Sequence, residues 1–197
     1  MEPRGADAGW RDISYLACGN ARQRRAFRAL NALGILNILR AYSPALTGTI
    51  PLDIDIAQSD LDIICEVGRA SDLAAFERVV EDAFSARDSF QIERITVKGV
   101  ATVFARFTFD GFPIEIFAQP RPVTEQNAYR HMVVEARLLE IGGEDARRAI
   151  RQLKSAGLKT EPAFARYFKI EGDPYEALLQ LSSRSAEELR KFILDAD

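Results

Sequence analysis

The chain has 197 residues, of which 47% are hydrophobic and 28% are charged, and its formal net charge is −3. These values are typical of a globular chain and exclude collagen-like, low-complexity and uniformly basic proteins. Two cysteines, Cys18 and Cys65, and one histidine, His131, are too few for a disulfide framework or a zinc site of the usual cysteine and histidine kinds. No apolar run approaches the ~20 residues of a membrane span and the start has no signal-peptide core, so we expect a cytoplasmic protein that does not bind membranes.

Five segments rich in β-branched or aromatic residues predict strands. They are residues 45–47, 61–67, 89–97, 100–109 and 112–117. Asp110-Gly111, between the last two, is a two-residue hairpin signal. Strand signals stop beyond Pro120 and Pro122, so the predicted sheet lies in the first part of the chain.

Apolar residues at helical spacing predict helices on both sides of the strands. They cover residues 20–40, 71–84, 123–141, 144–155, 162–168, 174–181 and 185–194. Asn20, Ser71 and Thr160 are expected N-caps, and Gly142-Gly143 is expected to end the helix that begins at 123. Two groups of arginines are expected to form solvated helix faces, namely Arg22, Arg24, Arg25 and Arg28, and Arg147, Arg148 and Arg151.

This order of elements predicts an α+β fold, with a small mixed sheet and flanking helices followed by a helical C-terminal half. We expect an α/β core with N-terminal helices over residues 1–120. We expect a helical subdomain over residues 121–197, packed on that core.

Acidic residues near the predicted strands are the main functional signal. Asp60 and Asp62 are two positions apart at the start of strand 61–67, so both carboxylates lie on one face. Two carboxylates that close repel each other, and a divalent cation such as Mg²⁺ removes the conflict. Glu115 leaves the apolar face of strand 112–117, and if the two strands are neighbours, three acids converge. Such a triad can hold one or two metal ions for phosphoryl chemistry.

A lone pair of aspartates is a weak signal, because exposed strands often carry two acids. Asp53 and Asp55 have the same spacing within the loop 50–59. We favour the pair at 60 and 62, because a strand follows it and because it lies farther from Gly48.

Gly48-Thr49 ends the first predicted strand, and a spacer of ten residues separates Thr49 from Asp60. Glycine permits close backbone approach, and the threonine hydroxyl and N–H can bind a phosphate oxygen. The sequence has no Walker motif, so this is a phosphate site of small residues.

Together these residues resemble the polymerase-β-like nucleotidyltransferase superfamily, whose signature is Gly-Gly or Gly-Ser, a spacer, an aspartate pair on a strand and a third acid. A closer resemblance is to the bacterial domain-of-unknown-function family 4269 of that superfamily, whose GT-x-P turn is similar to that of GrpB-like proteins. It rests on segments 15–27, 46–65, 125–139 and 153–165.

The resemblance implies that Asp60, Asp62 and Glu115 are catalytic residues that bind Mg²⁺ or Mn²⁺. It also implies a set of contacts with the nucleotide phosphates. These are Gly48, Thr49, Ser59 and Lys154, of which Lys154 is equally well explained as part of a solvated loop.

Two residues of the helical half, Gln126 and His131, are candidate substrate contacts, although a single helical histidine is more often structural. Cys65 lies on the face of its strand opposite the acids and is expected in the core.

We therefore predict a metal-dependent nucleotidyltransferase that moves a nucleoside monophosphate from an NTP to an acceptor hydroxyl. We expect the acceptor to be a small molecule rather than a nucleic acid. The alternative is a catalytically silent nucleotide-binding or regulatory, antitoxin-like protein on the same fold.

Overall fold

A computed structural model describes residues 10–194, and its central element is a five-stranded mixed sheet. The strand order is β1-β2-β5-β4-β3, in which β2 and β5 run parallel and the other neighbours run antiparallel. The strands are β1 (Ala45–Thr47), β2 (Leu61–Glu66), β3 (Asp88–Val97), β4 (Val100–Phe109) and β5 (Phe112–Gln119). All five predicted strands and the Asp110-Gly111 hairpin turn are therefore confirmed.

The chain forms two compact units. Of the described residues, the first contains those up to Pro51 together with Ser59–Gln126, and the second contains Leu52–Gln58 and those from Asn127 onward. The α+β prediction is confirmed, whereas the predicted domain boundary at residue 120 stays a prediction.

The core of the first unit lies on one face of the sheet. Leu61, Ile63 and Cys65 alternate along β2 and are fully buried there, together with residues of helices α1 (Ala21–Leu33) and α3 (Leu73–Phe84). Burial raises the pKa of the Cys65 thiol, so this cysteine is an inert core residue, as expected.

The first helix begins as predicted but ends earlier. Asn20 and Gln23 form a reciprocal capping box at the start of α1, with backbone to side-chain distances of 2.8 and 3.0 Å. The predicted continuation to residue 40 is wrong, because Gly34 adopts a left-handed conformation with φ 66° and ends the helix. A single turn, α2 (Ile35–Ile38), follows.

The second unit is helical. It contains α4 (Asn127–Ser155), α5 (Thr160–Tyr167), α6 (Pro174–Leu181) and α7 (Ala186–Leu194). The predicted break near Gly142-Gly143 is confirmed inside α4, since Gly143 has non-helical angles of φ 62° and ψ −153°. Within residues 10–194, no helix has the length and apolarity needed to cross a bilayer.

Two predicted caps are wrong. The Ser71 hydroxyl donates to the neighbouring Asp72 carboxylate at 3.2 Å, and α3 begins after a 3₁₀ turn without a side-chain cap. Thr160 lies inside the first turn of α5, and the cap position is Lys159.

The predicted solvated face at Arg147 and Arg151 is also wrong, because both are half-buried. Arg147 Nη1 donates to the Leu52 carbonyl oxygen at 2.6 Å, and Arg151 Nε donates to that of Asp53 at 3.0 Å. These two bonds attach the segment Leu52–Gln58 to α4. Arg148 is exposed, as predicted.

Candidate metal and nucleotide site

The parallel pairing of β2 with β5 brings the three predicted acids together. Asp62 is the register partner of Glu115, and Asp60 lies two positions earlier, immediately before β2 begins. One carboxylate oxygen from each residue lies within 4.8 Å of those from the other two, and all three side chains are half-buried. The predicted convergence is confirmed, and within residues 10–194 this is the only such group of three acids. Its predicted place in a cleft beside the helical half stays a prediction.

The alternation of apolar residues forces this arrangement. The neighbours of the acids along the two strands, Leu61, Ile63, Ile114 and Ile116, are all buried in the core. Because successive side chains of a strand point to opposite faces, burying these four residues turns the acids to the other face.

The donor set suits a hard divalent cation. Mg²⁺ takes oxygen ligands at ~2.1 Å, so opposite ligands of one ion lie ~4.2 Å apart. The separation of at most 4.8 Å between the carboxylate oxygens therefore requires only small side-chain movements. Three carboxylates at this spacing repel one another until a cation neutralises them.

Gly48 lies against one of the acids. It has φ +85°, and a Cβ built on it would lie 2.3 Å from Asp62 Oδ2. Glycine is therefore required here both for its backbone conformation and for the space beside Asp62. The approach of a phosphate to the Gly48 backbone stays a prediction.

The two predicted phosphate hydroxyls contact each other across the base of the loop 50–58. Thr49 Oγ1 and Ser59 Oγ are 3.0 Å apart, and Ser59 is buried. Ser59 is thus well placed to orient the Thr49 hydroxyl, whereas the roles of both in phosphate binding stay predictions.

Arg22 is a residue of this region that the sequence prediction assigned wrongly. Instead of lying on a solvated face, it is half-buried and its Nη2 donates to the Ser59 carbonyl oxygen at 2.8 Å. The bond links the first turn of α1 to the residue that precedes Asp60. Helical spacing alone could not distinguish Arg22 from the other arginines of the run.

Gln126 belongs to the first unit and is 3% exposed. Its amide nitrogen donates to the carbonyl oxygens of Cys65, at 2.8 Å, and Arg121, at 3.1 Å. These bonds use both amide protons to hold the end of β2. Contact of Gln126 with a substrate stays a prediction.

His131 lies in a buried polar cluster of the second unit. Its Nδ1 is 3.2 Å from Glu161 Oε1, and its Nε2 is 3.0 Å from the Tyr175 carbonyl oxygen. Because both partners accept hydrogen bonds, the doubly protonated imidazolium fits this geometry. Burial alone would lower the pKa of His131, but the bonds to Glu161 and Tyr175 and the charge of Glu135 raise it above its usual value. These contacts explain His131 as a structural residue, and a substrate role stays a prediction.

Glu135 and Lys154 complete this cluster. Burial, followed by repulsion from Glu161, raises the pKa of Glu135 to about 8, and the charges of His131 and Lys154 oppose that rise. Lys154 is 7% exposed within α4, so the solvated-loop explanation is wrong, while phosphate contact stays a prediction. Glu135 was missed, although its i, i+4 spacing from His131 on one helix is a signal that could have found it.

Comparison with known proteins gives a family and a fold. The profile of the family described as "Domain of unknown function (DUF4269)" matches residues 28–181. No curated protein matches the chain.

Several solved structures are similar. The Cid1 poly(U) polymerase with MgGTP bound aligns with a TM-score of 0.53 and 10% identity, over 84% of this chain and 53% of that chain. A second Cid1 structure, described for RNA terminal uridylyl transferase activity, aligns with a TM-score of 0.51 and 11% identity, over 80% and 46%. The chain thus spans about half the length of these proteins. The likeness confirms the expected nucleotidyltransferase fold.

We expect Gly48→Ala to disturb the acidic site, in addition to the strain that alanine causes at a positive φ. The new Cβ would displace the Asp62 carboxylate, so Mn²⁺ affinity measured by calorimetric titration should fall about 10- to 100-fold. Gly99→Ala is the matched control, because Gly99 has φ +80° and nothing lies within 4 Å of its added Cβ. Equal Mn²⁺ affinity in both variants would contradict the role given to Gly48.

The buried cluster predicts a pH-dependent stability. The pKa values of His131 and Glu135 in the folded state lie above their usual values of 6.5 and 4.5. The folded chain therefore binds more protons than the unfolded chain between about pH 6.5 and 9. The free energy of unfolding should therefore fall over this window. Glu161, whose pKa is lowered, is ionised in both states there and does not contribute.

Urea unfolding between pH 6.5 and 9 should show a shallower fall for Glu135→Gln, which cannot ionise, than for the parent. Glu140→Gln, at an exposed position of the same helix, should behave like the parent. Identical pH profiles for Glu135→Gln and the parent would refute this account of the cluster.

Proposed function

We propose that this chain, which belongs to the DUF4269 family and has the nucleotidyltransferase fold, transfers a nucleoside monophosphate from an NTP to an acceptor hydroxyl in a metal-dependent reaction. The observation that carries the proposal is the convergence of Asp60, Asp62 and Glu115, whose ligand oxygens lie within 4.8 Å of one another. It is supported by Gly48, which leaves space beside Asp62.

In this proposal, Asp60, Asp62 and Glu115 hold Mg²⁺ or Mn²⁺. When bound, such a cation supplies positive charge that offsets the charge developing on the phosphates. The carboxylates thereby fix the position of the reacting phosphate on the strand face opposite the core.

Gly48 and Thr49 are proposed to bind the phosphates from the end of β1. We assign Ser59 Oγ as the donor to Thr49 Oγ1 across their 3.0 Å contact, which leaves the Thr49 hydrogen for a phosphate oxygen, and Arg22 holds the Ser59 backbone in turn. This arrangement orients the Thr49 hydroxyl before a nucleotide arrives, which reduces the entropy lost on binding.

The reaction itself is an exchange of one P–O bond for another. The acceptor oxygen forms a bond to the α-phosphorus, the bond between that phosphorus and the bridging oxygen to the β-phosphate breaks, and pyrophosphate leaves. The proton of the acceptor hydroxyl is released to water. Positioning and charge compensation, rather than covalent catalysis, are the contributions expected of the protein.

Replacing two acids tests the proposal. Asp60→Asn combined with Asp62→Asn should abolish Mg²⁺-dependent NTP binding in calorimetric titration. The melting temperature should stay the same or rise, because two like charges are removed from a crowded site. Glu81→Gln with Asp82→Asn is the matched control, since it makes the same charge change at exposed positions of α3.

Unchanged Mg·NTP affinity in the Asp60 and Asp62 double variant would show that the acids are not the site. Mg·NTP binding that needs the acids, without transfer to any of a broad set of acceptors, would instead favour the silent, regulatory alternative.

The threonine hydroxyl can be tested separately. Thr49→Val keeps the shape but loses one hydrogen bond to a charged phosphate, worth ~1.5–3 kcal/mol, so Mg·NTP affinity should fall about 10- to 100-fold. Thr49→Ser should be close to neutral, since it keeps the hydroxyl. If Thr49→Val binds Mg·NTP like the parent, the side chain does not touch the phosphate.

A further inference from the structure

A row of register partners crosses all five strands of the sheet at the level of the acidic site. Thr47 pairs with Asp62, Asp62 with Glu115, Glu115 with Arg106, and Arg106 with Gln91. Because paired residues of neighbouring strands lie on one face, these five side chains share the face that carries the acids. Arg106 is therefore the neighbour of Glu115 on this face, on the side away from β1.

The guanidinium of Arg106 is exposed but held in place by the next strand. Its Nε donates to Gln91 Oε1 at 2.8 Å, and its Nη2 donates to the same oxygen at 2.5 Å. These bonds use two of its five N–H donors. Among the described residues, no acceptor bonds to the other edge of the group, which consists of Nη1 and the second Nη2 proton. That edge is suited to a two-point contact with an anion.

The partner of Arg106 distinguishes it from Arg94, the other arginine of the β3–β4 hairpin. Arg94 lies on the opposite face of β3, and its Nε and Nη2 each donate to a carboxylate oxygen of Glu77 at 2.6 Å. Its charge is therefore compensated. Arg106 bonds to a neutral amide and forms no ion pair with any described residue, so its positive charge is available to a ligand.

The two ends of the row differ in what they offer a substrate. Gly48 leaves space beside Asp62 Oδ2 at the β1 end, which is where the proposed function places the NTP phosphates. Neighbouring strands lie ~4.8 Å apart, so the Arg106 guanidinium, drawn toward β3, lies ~5–10 Å from Glu115. The entering and leaving oxygens of an in-line displacement lie on opposite sides of the phosphorus. Pyrophosphate that leaves toward Gly48 therefore requires an acceptor that enters from the side of Arg106.

The surroundings of Arg106 suit one phosphate group better than a polyanion. Asp88 and Glu93 of β3 lie on the same face, by their register with Thr108 and Phe104, and both acids are exposed. Arg106 is the one cation on this face of β3, β4 and β5. A nucleic-acid strand is held by a basic groove that follows its backbone. A single cation between acids does not form such a groove.

We infer that Arg106 binds the phosphate of the acceptor and so directs the acceptor's hydroxyl to the acids. This inference rests on the proposed function and names the acceptor as a small phosphate monoester with a free hydroxyl ~5–10 Å from its phosphate, the class to which sugar phosphates belong. The hydroxyl oxygen bonds to the α-phosphorus of the NTP, the bond from that phosphorus to the bridging oxygen breaks, pyrophosphate leaves, and the proton goes to water.

Calorimetric titration with ribose 5-phosphate and with glucose 6-phosphate, at saturating Mg²⁺ and non-hydrolysable NTP, tests the inference. The parent should bind at least one of them more tightly than the same sugar without phosphate. Arg106→Gln should bind that sugar phosphate about 10- to 100-fold more weakly, the loss expected for hydrogen bonds between charged groups. Its Mg·NTP affinity should equal that of the parent, because Arg106 lies at the end of the row away from Gly48.

Two variants serve as controls. Gln91→Leu removes the same hydrogen bonds between β3 and β4 but keeps the guanidinium, so it should lose less affinity for the sugar phosphate than Arg106→Gln. Arg87→Gln makes the same charge change at an exposed position outside the row and should bind like the parent.

Several results would overturn the inference. They are equal sugar-phosphate affinity in Arg106→Gln and the parent, an equal loss in Gln91→Leu, and no binding of either sugar phosphate to the parent. Tighter binding of a 15-nucleotide RNA than of the sugar phosphates would overturn it in favour of a nucleic-acid acceptor. Lower Mg·NTP affinity in Arg106→Gln would assign the arginine to the nucleotide instead. The proposed function is judged separately, because Mg·NTP binding and its loss on replacing Asp60 and Asp62 do not involve the sugar phosphate.

Discussion

The parallel pairing of β2 with β5 is the constraint on which the rest of the site depends. These two strands are far apart in the chain, and the segment between them contains α3 and the long hairpin of β3 and β4. Their register places Asp62 beside Glu115, while their buried residues fix which face the acids occupy. A shift of one residue in either strand would turn its carboxylates into the core. The hydrophobic core therefore specifies the geometry of the acidic site.

Much of the sheet and of the acidic site could be predicted from the local sequence pattern. Strand alternation located the acids on the face opposite Cys65, and the hairpin signal at Asp110-Gly111 defined where β4 turns into β5. The residue type of Gly48 also indicated a backbone position that a Cβ would obstruct. These features are local or follow directly from the two-residue period of a strand.

Helix caps and the contacts of charged side chains could not be predicted, because they depend on long-range contacts and on competition between local partners. The Ser71 hydroxyl bonds to Asp72 instead of capping α3, a choice between neighbours that residue type does not decide. Arg22, Arg147 and Arg151 occupy charged helix runs, yet each bonds to a backbone carbonyl of a distant segment. Likewise, the buried environment of His131 and Lys154 arises from the packing of α4 with α5 and α6. A helical charge pattern reports spacing on one element and carries no information on the element that packs against it.

We propose that Asp60, Asp62 and Glu115 together hold the divalent cation that a nucleotide brings to the site. Crystals soaked with Mn²⁺ and a non-hydrolysable NTP, with diffraction data collected at the manganese absorption edge, test it most directly. An anomalous peak is expected within bonding distance of oxygens from all three carboxylates, with the triphosphate beside Gly48 and Thr49. Manganese bound elsewhere, or a triphosphate bound without contact between its metal and these acids, would contradict it.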